Sequence, residues 1–244
     1  MLAIIVENLV KRYGKILALR GISFGVEEGE IFGIVGPNGA GKTTTLRILA
    51  TLITPTEGRV SIFGHDVVKE SSKIRKMISY LPEEAGTYKN LTGFEYLKMV
   101  AEIYYEHSQD IENAIDLGVK IANLGDRIFD KMKTYSKGMQ RRVQLARALM
   151  VRPRIAILDE PTSGLDILQA FEIRNTIRKF AKELGITVIL SSHNMLEVEE
   201  LCDRVAILHE GMILDQGHVR ELVSKYGVSN LEKVFVLLVR GGKY

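Results

Sequence analysis

One glycine-rich motif constrains the fold of this chain more than any other feature. Its residues are Gly36, Pro37, Asn38, Gly39, Ala40, Gly41, Lys42 and Thr43. The pattern G-x-x-x-x-G-K-[ST] predicts a loop whose backbone N–H groups surround phosphate oxygens, with the lysine on the outer phosphates and the threonine toward Mg²⁺. An apolar run precedes it and a helical pattern follows, so the loop lies at a helix N-terminus, where the helix dipole favours anions. The alternative is an ordinary glycine-rich turn.

The composition is that of an ordinary globular protein. Of 244 residues, 46% are hydrophobic and 26% are charged, enough for one large α/β domain with a sizeable core. The net charge is only +3, from 33 basic and 30 acidic residues, which is too balanced to imply a nucleic-acid surface on its own. The single cysteine, Cys202, excludes an intrachain disulfide framework and a cysteine-rich metal site. Its apolar surroundings favour a small buried hydrophobe.

The sequence predicts no transmembrane helix, because it contains no run of eighteen apolar residues. Its first residues lack the charged region of a signal peptide and alternate like a strand. We therefore expect a chain that is soluble by itself and that acts at a membrane only through a partner.

The hydrophobic patterns divide the chain into three kinds of structure. Short strand patterns over 3–32 predict a small antiparallel sheet, with a hairpin turn at 27–30. From about 92 to 150 apolar residues recur at helical spacing, which predicts a helical insert. Strands and helices then alternate again, and the fully apolar runs at 155–158 and 187–190 are typical of buried parallel strands.

Three polar side chains follow these two apolar runs. Asp159 and Glu160 end the first run, and His193 comes after the second. Because parallel strands direct their carboxyl ends toward one crevice, we expect all three beside the phosphate loop. There Asp159 would hold the Mg²⁺ shell, Glu160 would orient or deprotonate a water, and His193 would fix Glu160 or bond the γ-phosphate. The alternatives are an acidic strand end that faces solvent and a helix-start histidine without a ligand.

A further helix with a good N-cap begins at Ser136 and runs to Met150. Its exposed N-terminus could bind an anion. Taken by itself, however, this pattern indicates no more than a capped helix.

The order and spacing of these motifs resemble those of the nucleotide-binding subunits of ATP-binding-cassette (ABC) transporters, from Tyr13 to about residue 225. The resemblance implies an α/β fold of the P-loop NTPase class, with a RecA-like parallel sheet as its core. It also implies an N-terminal antiparallel β subdomain and an inserted α-helical subdomain. The ABC ATPase domain would cover 1–228, with the helical insert at about 88–152 and a C-terminal tail over 229–244.

The resemblance also implies roles for individual residues. The residues that would bind ATP are Tyr13 by stacking on adenine, Gly36 through Thr43, Thr44, and the signature residues Ser136 and Gly138. Those that would hold Mg²⁺ are Thr43, Asp159 and Glu83, and the catalytic set would be Glu160, His193, Lys42 and Glu83. For Tyr13, the alternative from its position alone is an aromatic that only packs.

In the mechanism that the resemblance implies, two cassettes, identical or different, face head to tail. Each ATP lies between the phosphate loop of one cassette and the signature helix of the other. Binding and hydrolysis then drive membrane-embedded permease subunits, which are separate chains, and the cassettes work at the inner face of the cell membrane. A rival interpretation is a soluble ABC-type ATPase of DNA repair or translation, although those relatives usually carry a long coiled coil or tandem cassettes. A nucleotide sensor without hydrolysis is a third, and Glu160 and His193 argue against it.

The chain departs from the family pattern at two positions. Glu83 stands where glutamine is usual, so it adds a carboxylate that should be tolerated mainly with Mg²⁺ bound, unless it is a solvated loop residue. Lys137 replaces a signature glycine, and we favour solvent exposure for its side chain. These variants resemble subfamilies that pair with ABC-2 type exporters. Arg141 and Arg142, one turn into the same helix, are interpreted as surface or interface charges.

Overall fold

Two β-sheets and a layer of helices surround the strand–loop–helix unit that carries the glycine-rich motif. The computed structural model describes residues 1–86 and 88–241. The strands are β1 (Leu2–Tyr13), β2 (Ile16–Glu27), β3 (Ile31–Val35), β4 (Glu57–Ile62), β5 (His65–Asp66), β6 (Ile78–Leu81), β7 (Ile155–Asp159), β8 (Thr187–Ser192), β9 (Arg204–His209) and β10 (Met212–His218). The helices are α1 (Lys42–Leu49), α2 (Ser71–Arg75), α3 (Gly93–Tyr104), α4 (Ser108–Ala122), α5 (Lys137–Met150), α6 (Ile167–Leu184), α7 (Met195–Leu201), α8 (Val219–Lys225) and α9 (Leu231–Val239). Two short 3₁₀ turns, Gly125–Phe129 and Met132–Thr134, lie between α4 and α5.

The smaller sheet is antiparallel, as predicted, with strand order β2-β1-β4-β5. Its hairpin joins β1 to β2, where Tyr13 pairs with Ile16. The predicted hairpin at 27–30 is wrong, because this turn carries the chain from β2 into a different sheet. The physical reason is the composition of β3, whose five residues are all buried and therefore belong in a sheet covered on both faces.

The larger sheet has the order β10-β9-β3-β8-β7-β6. Every pair from β9 to β6 is parallel, and only β10 joins the edge in the antiparallel sense. The strands β3, β7 and β8 are buried at each residue, which explains why their sequences are apolar except at the ends of β7 and β8. Their carboxyl ends lie side by side at one edge of the sheet, and the loops that follow them form the candidate site.

Helices α3 to α5 pack together over the region of helical spacing. Thr92 caps α3 in a capping box with Glu95, and the Ser136 hydroxyl accepts a hydrogen bond from Met139 N at the start of α5. The apolar stripe of α5 is buried against α4 and the sheet. Farther along, Leu231 and Val234 of α9 are buried in the same core. The division at residue 228 stays a prediction.

Candidate active site

The loop between β3 and α1 is fixed by its backbone contacts. A Cβ atom at Gly36 would lie only 2.0 Å from the carbonyl oxygen of Leu208, so any larger residue would force the loop away from β9. Gly36 N donates to Ser192 O at 3.3 Å, and Gly211 N donates to Ala40 O at 3.0 Å. The loop is thereby attached to the ends of β8 and β9.

The first turn of α1 offers N–H groups to an anion. Its N-cap is Gly41, which has a φ of 110° and makes no capping hydrogen bond through a side chain. Glycine tolerates this left-handed conformation, and a side chain there would also meet Leu19. Helix N-termini without a side-chain cap are suited to phosphate binding.

Lys42 is 5% exposed, and its ammonium contacts three oxygens. It donates to Gly36 O at 2.9 Å and to Pro37 O at 3.2 Å, and it lies 3.2 Å from a carboxylate oxygen of Glu160. The ion pair offsets the desolvation of two charges that are both buried. The geometry places the predicted phosphate lysine and the predicted catalytic glutamate in direct contact.

Asp159 is held by hydroxyl groups from three different elements. Thr43 Oγ1 donates to Oδ1 at 3.1 Å, Ser191 Oγ donates to the same oxygen at 2.6 Å, and Tyr80 OH donates to Oδ2 at 3.3 Å. Burial raises the pKa of Tyr80, and the Asp159 charge raises it further, so the phenol stays a neutral donor. Thr43 and Asp159 therefore lie close enough to share one cation shell.

Glu160 is connected twice to the carboxyl end of β8. Its backbone N–H donates to Ser191 Oγ at 3.0 Å, and its carboxylate accepts from His193 Nδ1 at 2.8 Å. Since a carboxylate only accepts, this contact requires the proton on Nδ1 and leaves Nε2 for another partner. Glu160 itself has a φ of 47°, an uncommon conformation for a residue other than glycine.

Of the groups described above, Lys42, Thr43 and Glu160 line a polar cavity of about 310 Å³. The lining residues are Ala18, Asn38, Gly39, Gly41, Lys42, Thr43, Thr44, Glu83 and Glu160. Glu83 is exposed, and its carboxylate accepts a hydrogen bond from Ser163 Oγ at 3.1 Å. Its side chain is thus both exposed to solvent and part of the cavity wall.

The structure brings together Lys42, Thr43, Asp159, Glu160 and His193, but three other predicted residues lie outside this cluster. Tyr13 is 44% exposed at the end of β1, and the Lys11 ammonium lies 5.0 Å from the centre of its ring. Ser136 and Gly138 lie at the start of α5 and do not line the cavity. Gly138 packs so tightly that a Cβ atom would lie 2.5 Å from Gln169.

Sequence reasoning missed three residues of the site. It gave no role to Tyr80 or to the hydroxyl of Ser191, which bind Asp159. It also interpreted Arg141 as a surface or interface charge, which is wrong, because this side chain is buried. The signal for Arg141 was its helical spacing, since it lies three residues after Gly138 and four before Leu145, both on the buried face of α5.

The family is decided by the sequence comparisons. The pattern of the family described as ABC transporter matches residues 19–163. The chain belongs to the ABC transporter family. It is 41% identical over 215 residues to the ABC transporter ATP-binding protein YhcH of Bacillus subtilis, covering 88% of this chain and 70% of that protein. It is 39% identical over 237 residues to the bacitracin transport ATP-binding protein BcrA of Bacillus licheniformis, covering 95% of this chain and 76% of that protein.

A solved structure extends the similarity to the fold. The dimeric ATP-binding cassette MJ0796, in a post-hydrolysis state with ADP and Pi, matches with a TM-score of 0.78 at 28% identity, over 88% of this chain and 98% of that chain. The predicted recognition as an ABC-2 exporter-like ATP-binding subunit, the fold class and the ATPase activity are confirmed. Within residues 1–86 and 88–241, no helix has the length and apolar character needed to cross a bilayer.

Proposed function

We propose that this ABC ATPase dimerises around two ATP molecules and uses their hydrolysis to move membrane permease subunits, in the direction of export. The observation that carries the proposal is the direct contact of Lys42 with Glu160. His193 is hydrogen-bonded to Glu160, and Thr43 is hydrogen-bonded to Asp159. This set supplies a cation that can bind phosphate, oxygen ligands for a metal ion and a candidate base within one cluster.

The roles follow from the chemistry of each group. The loop from Gly36 to Thr43 and the following Thr44 surround the phosphates, and Lys42 binds the outer ones. Glu160 accepts a proton from the attacking water, and His193 fixes the Glu160 carboxylate. ATP competes with Glu160 for the Lys42 ammonium, so phosphate binding releases the carboxylate for catalysis.

The donor set around Thr43 fits a magnesium ion. Mg²⁺ is usually held by one or two protein oxygens together with phosphates and waters, so it needs no cage of carboxylates. Thr43 Oγ1 and Asp159 Oδ1 lie 3.1 Å apart, and Glu83 lines the same cavity. Bound there, Mg²⁺ would neutralise charge on the transferred phosphoryl group. No group of three His, Cys, Asp or Glu residues forms a metal cage in the described parts of the chain, which agrees with such an open site.

The position of the signature residues supports the proposal that two copies are needed. Ser136 is exposed and Gly138 lies one residue into α5, away from the cavity of their own chain. A second cassette facing this one would receive the α5 N-terminus at its own ATP, where free N–H groups stabilise phosphate charge. The structure of MJ0796, which is described as dimeric with ADP and Pi bound, supports a dimer of this chain. Tyr13, exposed at the end of β1, is available to stack on adenine.

The membrane connection is proposed from the relatives and from the helical layer. BcrA is described as a bacitracin transport protein, and we extend a transport role in export to this chain. The permease would dock on the helical layer and the loop from Glu83 to Tyr88, of which Thr87 lies outside the described residues. The cassette, taken as residues 1–228, would thus lie in the cytoplasm against the inner face of the membrane. We propose no nucleic-acid partner for this chain.

A glutamine substitution at Glu160 tests the catalytic proposal. Glu160→Gln removes the base while keeping the shape, so turnover should fall about 10²–10⁴-fold while ATP binding and ATP-dependent dimerisation persist. Glu112→Gln, an exposed site on α4, is the matched control and should behave as wild type. Wild-type turnover in Glu160→Gln would reject the assigned base.

Cross-linking tests the permease proposal. Cysteines placed singly at 84–90 in the intact transporter should form cross-links to the membrane subunit. Capture of the permease only through the sheet face would contradict the proposed docking surface.

A further inference from the structure

The buried side chain of Arg141 binds the backbone on both sides of the cavity. Its guanidinium donates to five carbonyl oxygens, three in the segment that ends β7 and two in the loop after β6. The acceptors are Asp159 O at 3.0 Å, Glu160 O at 2.6 Å, Pro161 O at 2.8 Å, Pro82 O at 3.0 Å and Glu83 O at 3.3 Å. Arg141 itself is only 6% exposed.

Only arginine can make this set of contacts. Its planar guanidinium carries five N–H donors in a fixed fork, whereas a lysine has three donors on one atom. Burial lowers the pKa of Arg141, and the carboxylates of Glu83, Asp159 and Glu160 raise it. An arginine still carries its charge in this setting, so the guanidinium remains a donor to all five oxygens.

One of these bonds goes to a residue with an uncommon backbone conformation. Glu160 has a φ of 47°, and its carbonyl accepts the shortest of the five bonds. A non-glycine residue in this conformation costs free energy that the surroundings must offset. The backbone N–H of Glu160 donates to Ser191 Oγ. The backbone of this residue is therefore fixed at both its N–H and its carbonyl.

We propose that Arg141 is a positioning residue. It holds Glu160 in the orientation from which its carboxylate accepts a proton from the attacking water. Arg141 does not line the cavity and so acts only through the backbone of Glu160 and of its neighbours. The proposal rests on the proposed role of Glu160 as the base. It also gives the signature helix a direct connection to the catalytic segment of its own chain, because Arg141 belongs to α5.

The test is a double-mutant cycle between Arg141→Lys and Glu160→Gln. Arg141→Lys keeps the charge but loses most of the five bonds, so kcat should fall about 10- to 100-fold with KM for ATP nearly unchanged. In the Glu160→Gln background the same substitution should change turnover by less than about twofold, because Arg141 then has no base to position. ATP binding in EDTA, measured with a fluorescent analogue, should be the same in all four proteins.

Arg142→Lys is the matched control. Arg142 lies on the outer side of the same helical turn, where it contacts Glu172 and donates to Asn123 O at 3.3 Å. It should keep wild-type kcat and KM. Arg141→Met would leave five carbonyls without their donor and lower the free energy of unfolding, so the lysine variant carries the test.

Three results would overturn the proposal. Wild-type kcat in Arg141→Lys would show that the five bonds do not position the base. An equal loss from Arg141→Lys in the wild-type and Glu160→Gln backgrounds would show a general structural role. Full turnover in Glu160→Gln alone would instead remove the proposed base itself, whatever Arg141→Lys does.

Discussion

The hydroxyl of Ser191 connects the Asp159 carboxylate to the backbone N–H of Glu160, and its removal should lower the stability of the fold. Ser191 is completely buried, donates to Asp159 Oδ1 at 2.6 Å and accepts from Glu160 N at 3.0 Å. Ser191→Ala removes both bonds while leaving the apolar surroundings of β8 unchanged. The backbone N–H of Glu160 is then buried without an acceptor, and Asp159 keeps only its bonds from Thr43 and Tyr80.

The magnitude follows from these two losses. A buried N–H without an acceptor costs about 1–3 kcal/mol, and a hydrogen bond to a charged group contributes about 1.5–3 kcal/mol. Because Asp159 keeps two donors, we take the lower part of each range and expect Ser191→Ala to lower the free energy of unfolding by about 2–4 kcal/mol. With a urea m-value of about 3 kcal/mol/M, the unfolding midpoint should fall by roughly 1 M.

Urea unfolding followed by circular dichroism measures this shift, and Ser192→Ala is the matched control. Ser192 is the next residue of β8, and its hydroxyl accepts one local bond, from Asn194 N at 3.0 Å. We expect its midpoint to move by much less than that of Ser191→Ala. Equal midpoints for the two variants, at unchanged m, would refute the argument that Ser191 holds both carboxylate segments.

Two further predictions concern Glu83 and Cys202. Glu83→Gln removes one negative charge from the cavity wall, so it should keep ATP binding and lower the Mg²⁺ concentration needed for half-maximal turnover; an unchanged Mg²⁺ titration would contradict this. Burial raises the pKa of the Cys202 thiol well above its usual range, with a smaller contribution from Asp203, so almost no thiolate forms near pH 8. The folded protein should therefore react with an aromatic disulfide reagent only at the rate of unfolding, and rapid reaction in the absence of urea would disprove the burial of this side chain.

The sequence predicted the parts of the site that are encoded locally. The phosphate loop, the buried strands and the polar residues at their ends are short patterns whose physics is contained in a few consecutive residues. The family order of the motifs then supplied the fold class. Their assembly at one edge of the larger sheet follows from parallel pairing of β3, β8 and β7.

The residues that sequence reasoning missed depend on contacts between distant segments. Arg141 binds Pro82 and Glu83, which lie 59 and 58 residues earlier, and nothing in the local pattern specifies those partners. Tyr80 likewise reaches Asp159 across 79 residues. The wrong hairpin at 27–30 has a similar origin, because a turn pattern does not tell whether the next strand joins the same sheet. Such assignments require the sheet topology.

The close attachment of the phosphate loop limits which parts of this molecule can move. Gly36 lies against the end of β9 with no room for even a methyl group, and the loop is bonded to β8 and to the β9–β10 turn. Close-packed backbone of this kind transmits strain without yielding. We therefore expect the loop beneath the proposed nucleotide site to stay fixed. The movement that the proposed function passes to a membrane partner would then start at the opposite wall of the cavity, where Glu83 is exposed.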